Sequence, residues 1–338
     1  MLALGRGRLF KPARRAVGEG AESLSRLLAR MADWAAMVFG GAFQPVLTLI
    51  ARKRMSLPGF QRLSDRAGFQ LRSVHYYEPT YAEADLPAIT DRDRDLPGLD
   101  LNEAGQIALL SQFGYADELA ALPMQPAPGR FGFANKMFGV GDAELYYSFV
   151  RHKKPRRIVE IGSGNSTLIA LEAIAANTRE DPGYRCEVTC VEPFEMPWLE
   201  STGVQVIRRR VEHVDTKLFD TLGQDDILFI DSSHVIRPFG DVLHEFQTVI
   251  PRLRTGVLIQ VHDVFTPRDY PEAWLRADRR LWNEQYLLES FLAFNNRYSV
   301  ICAANWLKHH HWEALARACP ILAQQPAGEP GSFWFSVN

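Results

Sequence analysis

The sequence predicts a doubly wound α/β domain on a mostly parallel sheet, preceded by a helical extension, and three observations predict it. A short β-branched run, Ile158-Val159-Glu160-Ile161, breaks at Gly162 and is followed by an apolar-periodic segment through Leu168, Ile169, Leu171 and Ile174. That is the signature of a buried strand, a tight bend and a helix. Further strand-like runs at 186–192 (CEVTCVE), 204–207, 227–231 (ILFID) and 257–261 follow at spacings that leave room for crossover helices. The composition, 46% hydrophobic and 23% charged over 338 residues, is that of a soluble globular chain long enough for one large domain with additions.

In chain order, residues 1–55 form a basic, apolar arm. Residues 1–54 carry ten Lys/Arg against Glu19, Glu22 and Asp33, so the formal charge of −2 divides into +7 here and −9 elsewhere. A basic arm on an acidic body implies a local partner and argues against a nucleic-acid-binding protein. Residues 34–51 are almost wholly apolar, flanked by Arg30 and Arg52-Lys53-Arg54. Eighteen such positions reach the lower limit for a membrane span, and Gly40-Gly41 and Gln44-Pro45 are expected to split the run into two short pieces. Three readings stay open for residues 24–54: a helical hairpin packed on the body or in a homo-oligomer, a cationic helix in peripheral contact with a membrane, or a span. The arginine-rich start lacks an early apolar core, so no signal peptide is expected. Cys186, Cys190, Cys302 and Cys319 form no CxxC pair, which suits structural thiols in a reducing, cytoplasmic setting, membrane-associated if the arm meets lipid.

Residues 56–140 form a second region ahead of the core. Residues 68–79 (GFQLRSVHYYEP) read as a strand ending in the cluster His75, Tyr76 and Tyr77. An acidic, proline-punctuated connector follows, then a helix near 102–113 and a glycine- and aromatic-rich loop at 129–138. Residues 142–150 form a helix that leads into the core at 141–338.

The stretch 157–168, RIVEIGSGNSTL, organises the rest. Gly162 and Gly164 let a ligand lie close to the backbone, and Asn165, Ser166 and Thr167 offer N-cap side chains. A dinucleotide fingerprint would need a third glycine where Thr167 stands, which disfavours a nicotinamide oxidoreductase. The stretch resembles motif I of the class I S-adenosylmethionine (SAM) methyltransferases, E/D-x-G-x-G, matched by Glu160, Gly162 and Gly164. The resemblance covers about residues 140–338 and extends to a bacterial branch acting on small molecules or saccharides, carried by FIDSSHV, VHDVF with a following YP, and WNEQYLL. It implies a Rossmann-like, seven-stranded sheet whose last, antiparallel strand is 332–337 (SFWFSV). It also implies SAM as cofactor, bound by Glu160, Gly162, Ser163, Gly164, Asn165 and Asp231, with Glu192 accepting from the ribose hydroxyls. Segments before the glycine motif often cover the substrate in these enzymes, which makes His75, Tyr76 and Asn135 candidate substrate contacts. Tyr270, in the long segment 265–282 with Trp274 and Trp282, is a candidate pocket wall.

Ligands sit beyond the carboxyl ends of parallel strands. Asp231 closes the fourth strand with His234 and Asp241 beyond it, and His262-Asp263 close the fifth. In one reading, Asp231 and Asp263 are hard oxygen ligands for Mg²⁺. Catechol-type and macrolide-sugar O-methyltransferases place metal-binding acids at the ends of the same strands, although Val264 stands where the catechol-type pattern has Asn. In the other, His234 or His262 is a general base, oriented by Asp263 or Asp241. The expected activity is methyl transfer from SAM to an oxygen of a small-molecule or saccharide acceptor. The competing hypothesis is a SAM-binding scaffold without catalysis. The triple His309-His310-His311 reads as a solvated stretch, since consecutive histidines cannot all face one ion.

Overall fold

The computed structural model describes residues 14–53, 57–72, 74–75, 77–87, 92–194 and 196–338. They fall into two compact units divided after Pro87.

In the first unit, α1 (Arg14–Lys53) is one continuous helix with Pro45 inside it. The break expected at Gly40-Gly41 and Gln44-Pro45 does not occur, and neither does a hairpin. Pro45 forfeits a single ladder bond, to the Gly41 carbonyl, and the Ala, Leu and Met residues around it favour helix strongly enough to carry it across. The second helix, α2 (Pro58–Ala67), starts on a proline and stops at Gly68, whose φ of 73° ends the ladder. The strand expected over 68–79 is absent among the described residues. It contains a local backbone bond, Glu78 N–H to the His75 carbonyl at 2.8 Å, and among the described residues no second strand lies in this unit to build a ladder with.

The second unit opens with α3 (Glu103–Leu110), α4 (Ala116–Ala120) and α5 (Asp142–Lys153). There follow β1 (Arg157–Ile161), α6 (Asn165–Glu180), β2 (Glu187–Val191), β3 (Gln205–Ile207), β4 (Ile227–Ile230), α7 (Asp241–His244) and β5 (Leu258–Val261). Then come α8 (Glu272–Arg276), α9 (Glu284–Leu292), β6 (Tyr298–Ala303), α10 (Ala304–His310) and β7 (Phe333–Val337). The sheet order is β3-β2-β1-β4-β5-β7-β6. Strands β1 to β5 pair in parallel, and β7 runs antiparallel to both β5 and β6. This is the Rossmann-like seven-stranded sheet the sequence implied. Strand β6 was not expected, because its short apolar run lacks a period that separates strand from buried helix.

Strands β4 (ILFI) and β5 (LIQV) are buried at every position, as parallel strands covered on both faces must be. Helix α5 is buried from Asp142 to Arg151. Its Phe149 stacks on Trp334 with ring centroids 3.9 Å apart, and its Tyr146 on Phe229 at 4.9 Å. The buried Glu144 is fully engaged, accepting from the Ile321 N–H at 2.7 Å, Gly141 at 2.9 Å and Leu322 at 3.0 Å. The triple histidine disperses as expected: His309 meets Glu329 at 2.9 Å, His310 Asp93 at 2.6 Å and His311 Glu103 at 3.2 Å.

The glycine bend sits where β1 and β4 end side by side. Gly162 has φ of 78°, and a Cβ there would lie 1.8 Å from the Asp231 carbonyl oxygen. The cap of α6 is Gly164, not Asn165, Ser166 or Thr167; the Thr167 hydroxyl accepts from the Gly164 N–H at 3.2 Å instead. Thr167 in turn donates to Glu160, which also accepts from the Tyr146 hydroxyl at 3.0 Å. Side-chain reach decides the cap: Thr167 can bind the bend and the strand acid together.

Two predictions test this hinge. Gly162→Ala combines a left-handed backbone with a backbone clash and is expected to cost more than about 3 kcal/mol in urea unfolding. Gly203→Ala, with φ of 84° and open space around it, should cost about 1 kcal/mol; equal losses would show that the clash relaxes. Burial pushes the Glu160 carboxyl up to about 7, against the donors Thr167 and Tyr146. An acid with a raised folded pKa binds more protons folded than unfolded. Its contribution is therefore present below the unfolded value, near 4.5, and is lost as pH rises through about 7. Relative to Glu160→Gln, wild type should lose about 3 kcal/mol across that window. Parallel stability–pH curves would refute this account of Glu160.

Candidate active site

The carboxyl ends of β1, β2, β4 and β5 open into a cleft of about 740 Å³. Its floor is Gly162, Ser163, Asp231, His262 and Asp263, and Glu192, Glu212 and Val211 line one side. Trp274, Arg280 and Trp282, from the segment after β5, line another, with the Arg280 guanidinium 4.1 Å from the Trp274 ring and 4.5 Å from Trp282. That contact gives a loop wall the rigidity of a stacked cation.

The floor is held by backbone. The Gly162 N–H donates to the Val191 carbonyl at 3.1 Å, and the Asp231 N–H to the Ile161 carbonyl at 2.8 Å. The Glu192 carboxylate accepts from the Ser163 N–H at 3.3 Å and the Phe194 N–H at 2.9 Å, which aims it along the rim of the bend. His234 and Asp263 both adopt left-handed backbone, with φ of 59° and 57°. Non-glycine residues rarely do so, and such strain is concentrated at functional sites.

Asp231, His234, His262 and Asp263 come together as one cluster. His234 Nε2 lies 3.2 Å from Asp231 and 3.6 Å from Asp263, while its Nδ1 lies 2.8 Å from Glu284. His262 Nδ1 lies 3.4 Å from Asp231 and 3.7 Å from Asp263, and its Nε2 3.6 Å from Asp142. Burial alone would raise the Asp231 carboxyl, but the His262 charge and the bonds from both histidines hold it well below the usual carboxylate range. Burial would depress His234, yet Asp231 and Glu284 raise it to about 10. His262 is likewise raised, against burial, by Asp263 and Asp231. Burial raises the carboxyls of Asp263 and Glu284. Both imidazoles are therefore shifted toward the cationic form, which disfavours either as a proton acceptor.

Asp231, His262 and Asp263 each offer a ligand atom within 4.8 Å of the others. The buried His262 Nδ1 makes no well-aligned hydrogen bond, only the longer approaches to Asp231 and Asp263, and once deprotonated it could join the two carboxylates in holding a divalent cation. The two carboxylates suit Mg²⁺; the imidazole extends the fit toward Mn²⁺ or Fe²⁺.

Other candidates fall elsewhere. Glu160 lies buried beneath the floor, while Gly164 and Asn165 begin α6. Asp241 accepts from the Ser233 N–H at 3.0 Å and hydroxyl at 2.7 Å, so it shapes the β4 loop and orients no histidine. Asn135 spends its amide on its own loop, donating to the Gly132 and Phe138 carbonyls and accepting from the Met137 and Phe138 N–H groups. Tyr270 is buried behind the tryptophans, its hydroxyl accepting from the Gln285 N–H at 3.1 Å. His75 belongs to the first unit, and Tyr76 lies outside the described residues.

Sequence reasoning missed Glu284 and Asp142. Glu284 passes for a first-turn acid of α9, and Asn283 for its cap. In fact the Asn283 side chain accepts from the Ile236 N–H at 2.6 Å, and the Asn283 and Glu284 N–H groups both donate to the His234 carbonyl. No local cue marks Glu284, because an acid ahead of an apolar helix looks alike whether it serves its own helix dipole or a distant histidine.

Residues 159–264 match the family model described as a methyltransferase domain. An uncharacterized protein of Archaeoglobus fulgidus is 30% identical over 143 residues, 40% of this chain and 63% of that protein, so the chain spans under two thirds of that relative's length. Among solved structures, the O-methyltransferase from Bacillus cereus in complex with SAH is 14% identical at a TM-score of 0.35, covering 68% of this chain and 91% of that one. The MycE methyltransferase of the mycinamycin pathway, in complex with Mg, SAH and mycinamycin VI, is 20% identical at 0.29, covering 46% and 39%. At these scores neither likeness informs acceptor or metal. The matched segment runs from β1 through the end of β5 and includes the glycine bend, so this part of the chain is similar to a methyltransferase domain.

Proposed function

We propose that the cleft binds SAM and transfers its methyl group to a hydroxyl oxygen of a small-molecule or saccharide acceptor, with a divalent cation held by Asp231 and Asp263. The observation that carries this reading is the carboxylate pair on the floor of a cleft that the glycine bend opens onto. SAM supplies an electrophilic sulfonium methyl, and a divalent cation supplies a Lewis acid that lowers the pKa of a bound hydroxyl.

The residues fit these groups. Gly162 and Ser163 line the cleft with backbone and one small side chain, which leaves room for a nucleoside, and Glu192 is aimed where a ribose diol can donate to both its oxygens. Val211 and Glu212 on the same side suit a purine, with an apolar face and a polar edge. Trp274 and Trp282 offer flat walls on which a sugar or aromatic ring can stack, which supports a ring-bearing acceptor. Asp231 and Asp263 would hold the cation at the floor of the cleft, beside the bend where the methyl donor would lie, and proximity in line is most of what this reaction needs.

The proton leaves by His234. Glu284 fixes the ring through Nδ1 and turns Nε2 toward the acid pair, the geometry of a positioned base. Asp231 raises the pKa of this ring, so a cation held by Asp231 and Asp263 would lower it and link metal binding to base function.

The test is transfer of labelled methyl from SAM, by the full chain, into an extract of the source cells, with Mg²⁺ and with EDTA. Label in a low-mass or saccharide fraction, lost in EDTA, is the expected result. Retained transfer in EDTA would remove the cation from the reading, and binding of S-adenosylhomocysteine without transfer would indicate a scaffold. Asp231→Asn should lower kcat/KM by on the order of a hundredfold or more. Glu284 helps hold the proton on His234, so Glu284→Gln should move the rising limb of the kcat/KM–pH profile to lower pH while lowering its plateau. An unmoved limb would show that Glu284 does not act on the base.

A further inference from the structure

We propose that α1 is seated in the hydrocarbon of a lipid bilayer, so that the protein is membrane-embedded through its first unit. The segment Leu27–Ala51 is 25 residues long, and its most apolar 18-residue window has a mean hydropathy of 1.5 with none of it buried. At 1.5 Å per residue it is about 37 Å long, against a hydrocarbon thickness of about 30 Å.

The distribution of its side chains selects lipid over protein as the occupant. Arg30, Asp33, Gln44 and Thr48 fall within roughly 60° of one another around the helix at 3.6 residues per turn. The remaining circumference is apolar: Trp34, Val38, Phe39, Phe43 and Val46 are each about half exposed or more. Pairing with a second copy covers one stripe of a helix and would leave the rest of this surface in water. Lipid covers all of it. Gln44 donates to the Thr48 hydroxyl at 3.0 Å, so these polar groups partner each other within the helix, as an apolar medium requires. Arg30 at one end and Arg52-Lys53-Arg54 at the other, in a segment of net charge +7 over residues 1–54, complement anionic headgroups at both ends of the apolar run. Trp34, near the first of these, is a residue type enriched at the interface.

The experiment is flotation of the full chain, without detergent, with vesicles of phosphatidylcholine alone and of phosphatidylcholine with phosphatidylglycerol. Wild type should float with both, more completely with the anionic vesicles at low salt. Phe39→Glu with Phe43→Glu should lower partitioning by roughly a hundredfold or more, with the thermal transition of the second unit unchanged. Wild type remaining in the dense fraction as a defined oligomer would overturn the proposal in favour of self-association. So would a doubly substituted variant that floats as well as wild type.

Discussion

The site depends on the close approach of two backbones, Gly162 at the end of β1 and Asp231 at the end of β4. A methyl group at position 162 would overlap the Asp231 carbonyl, so the strand ends can draw together only because one residue has no side chain. From that contact the rest follows. The bend turns into α6, Glu160 and Thr167 lock the turn from below, and the Asp231 carboxylate is presented to the cleft beside His262 and Asp263. Substrate chemistry is thus positioned by strand register, set by the parallel pairing of β1 with β4 and of β4 with β5.

The second constraint is charge balance. Asp231, Asp263, Asp142 and Glu284 converge on His234 and His262 within hydrogen-bond or ion-pair range. Carboxylates so enclosed favour positive charge nearby, and they shift both imidazoles toward the cationic form.

Much of the core was legible in the residues. The strand–glycine–helix signature at 157–168 located β1, the bend and α6, and the short apolar runs located β2 to β5. Asp231, His234, His262 and Asp263 were legible because polar residues that close apolar strands must emerge where the sheet is open. Glu284, fifty residues from the ring it orients, was not, since its partner is set by how α9 folds back over β4. The same holds for Asn135 and Tyr270: a polar residue in an aromatic loop looks alike in sequence whether it faces a ligand or its own backbone. The arm shows the limit of local rules, because Gly-Gly and Gln-Pro signalled a break that one lost hydrogen bond in a forty-residue helix did not produce.

By itself the sequence determined the α/β class, the glycine bend and which acids and histidines close the strands, because periodicity and strand-end position are local properties of the chain. Tertiary structure decided which side chains share a charge. It joined His234 to Glu284 and His262 to Asp142, turned Tyr270 and Asn135 inward, and raised both histidines toward the cationic form. Those outcomes depend on distance and burial between residues far apart in the chain, and no spacing along the sequence encodes them.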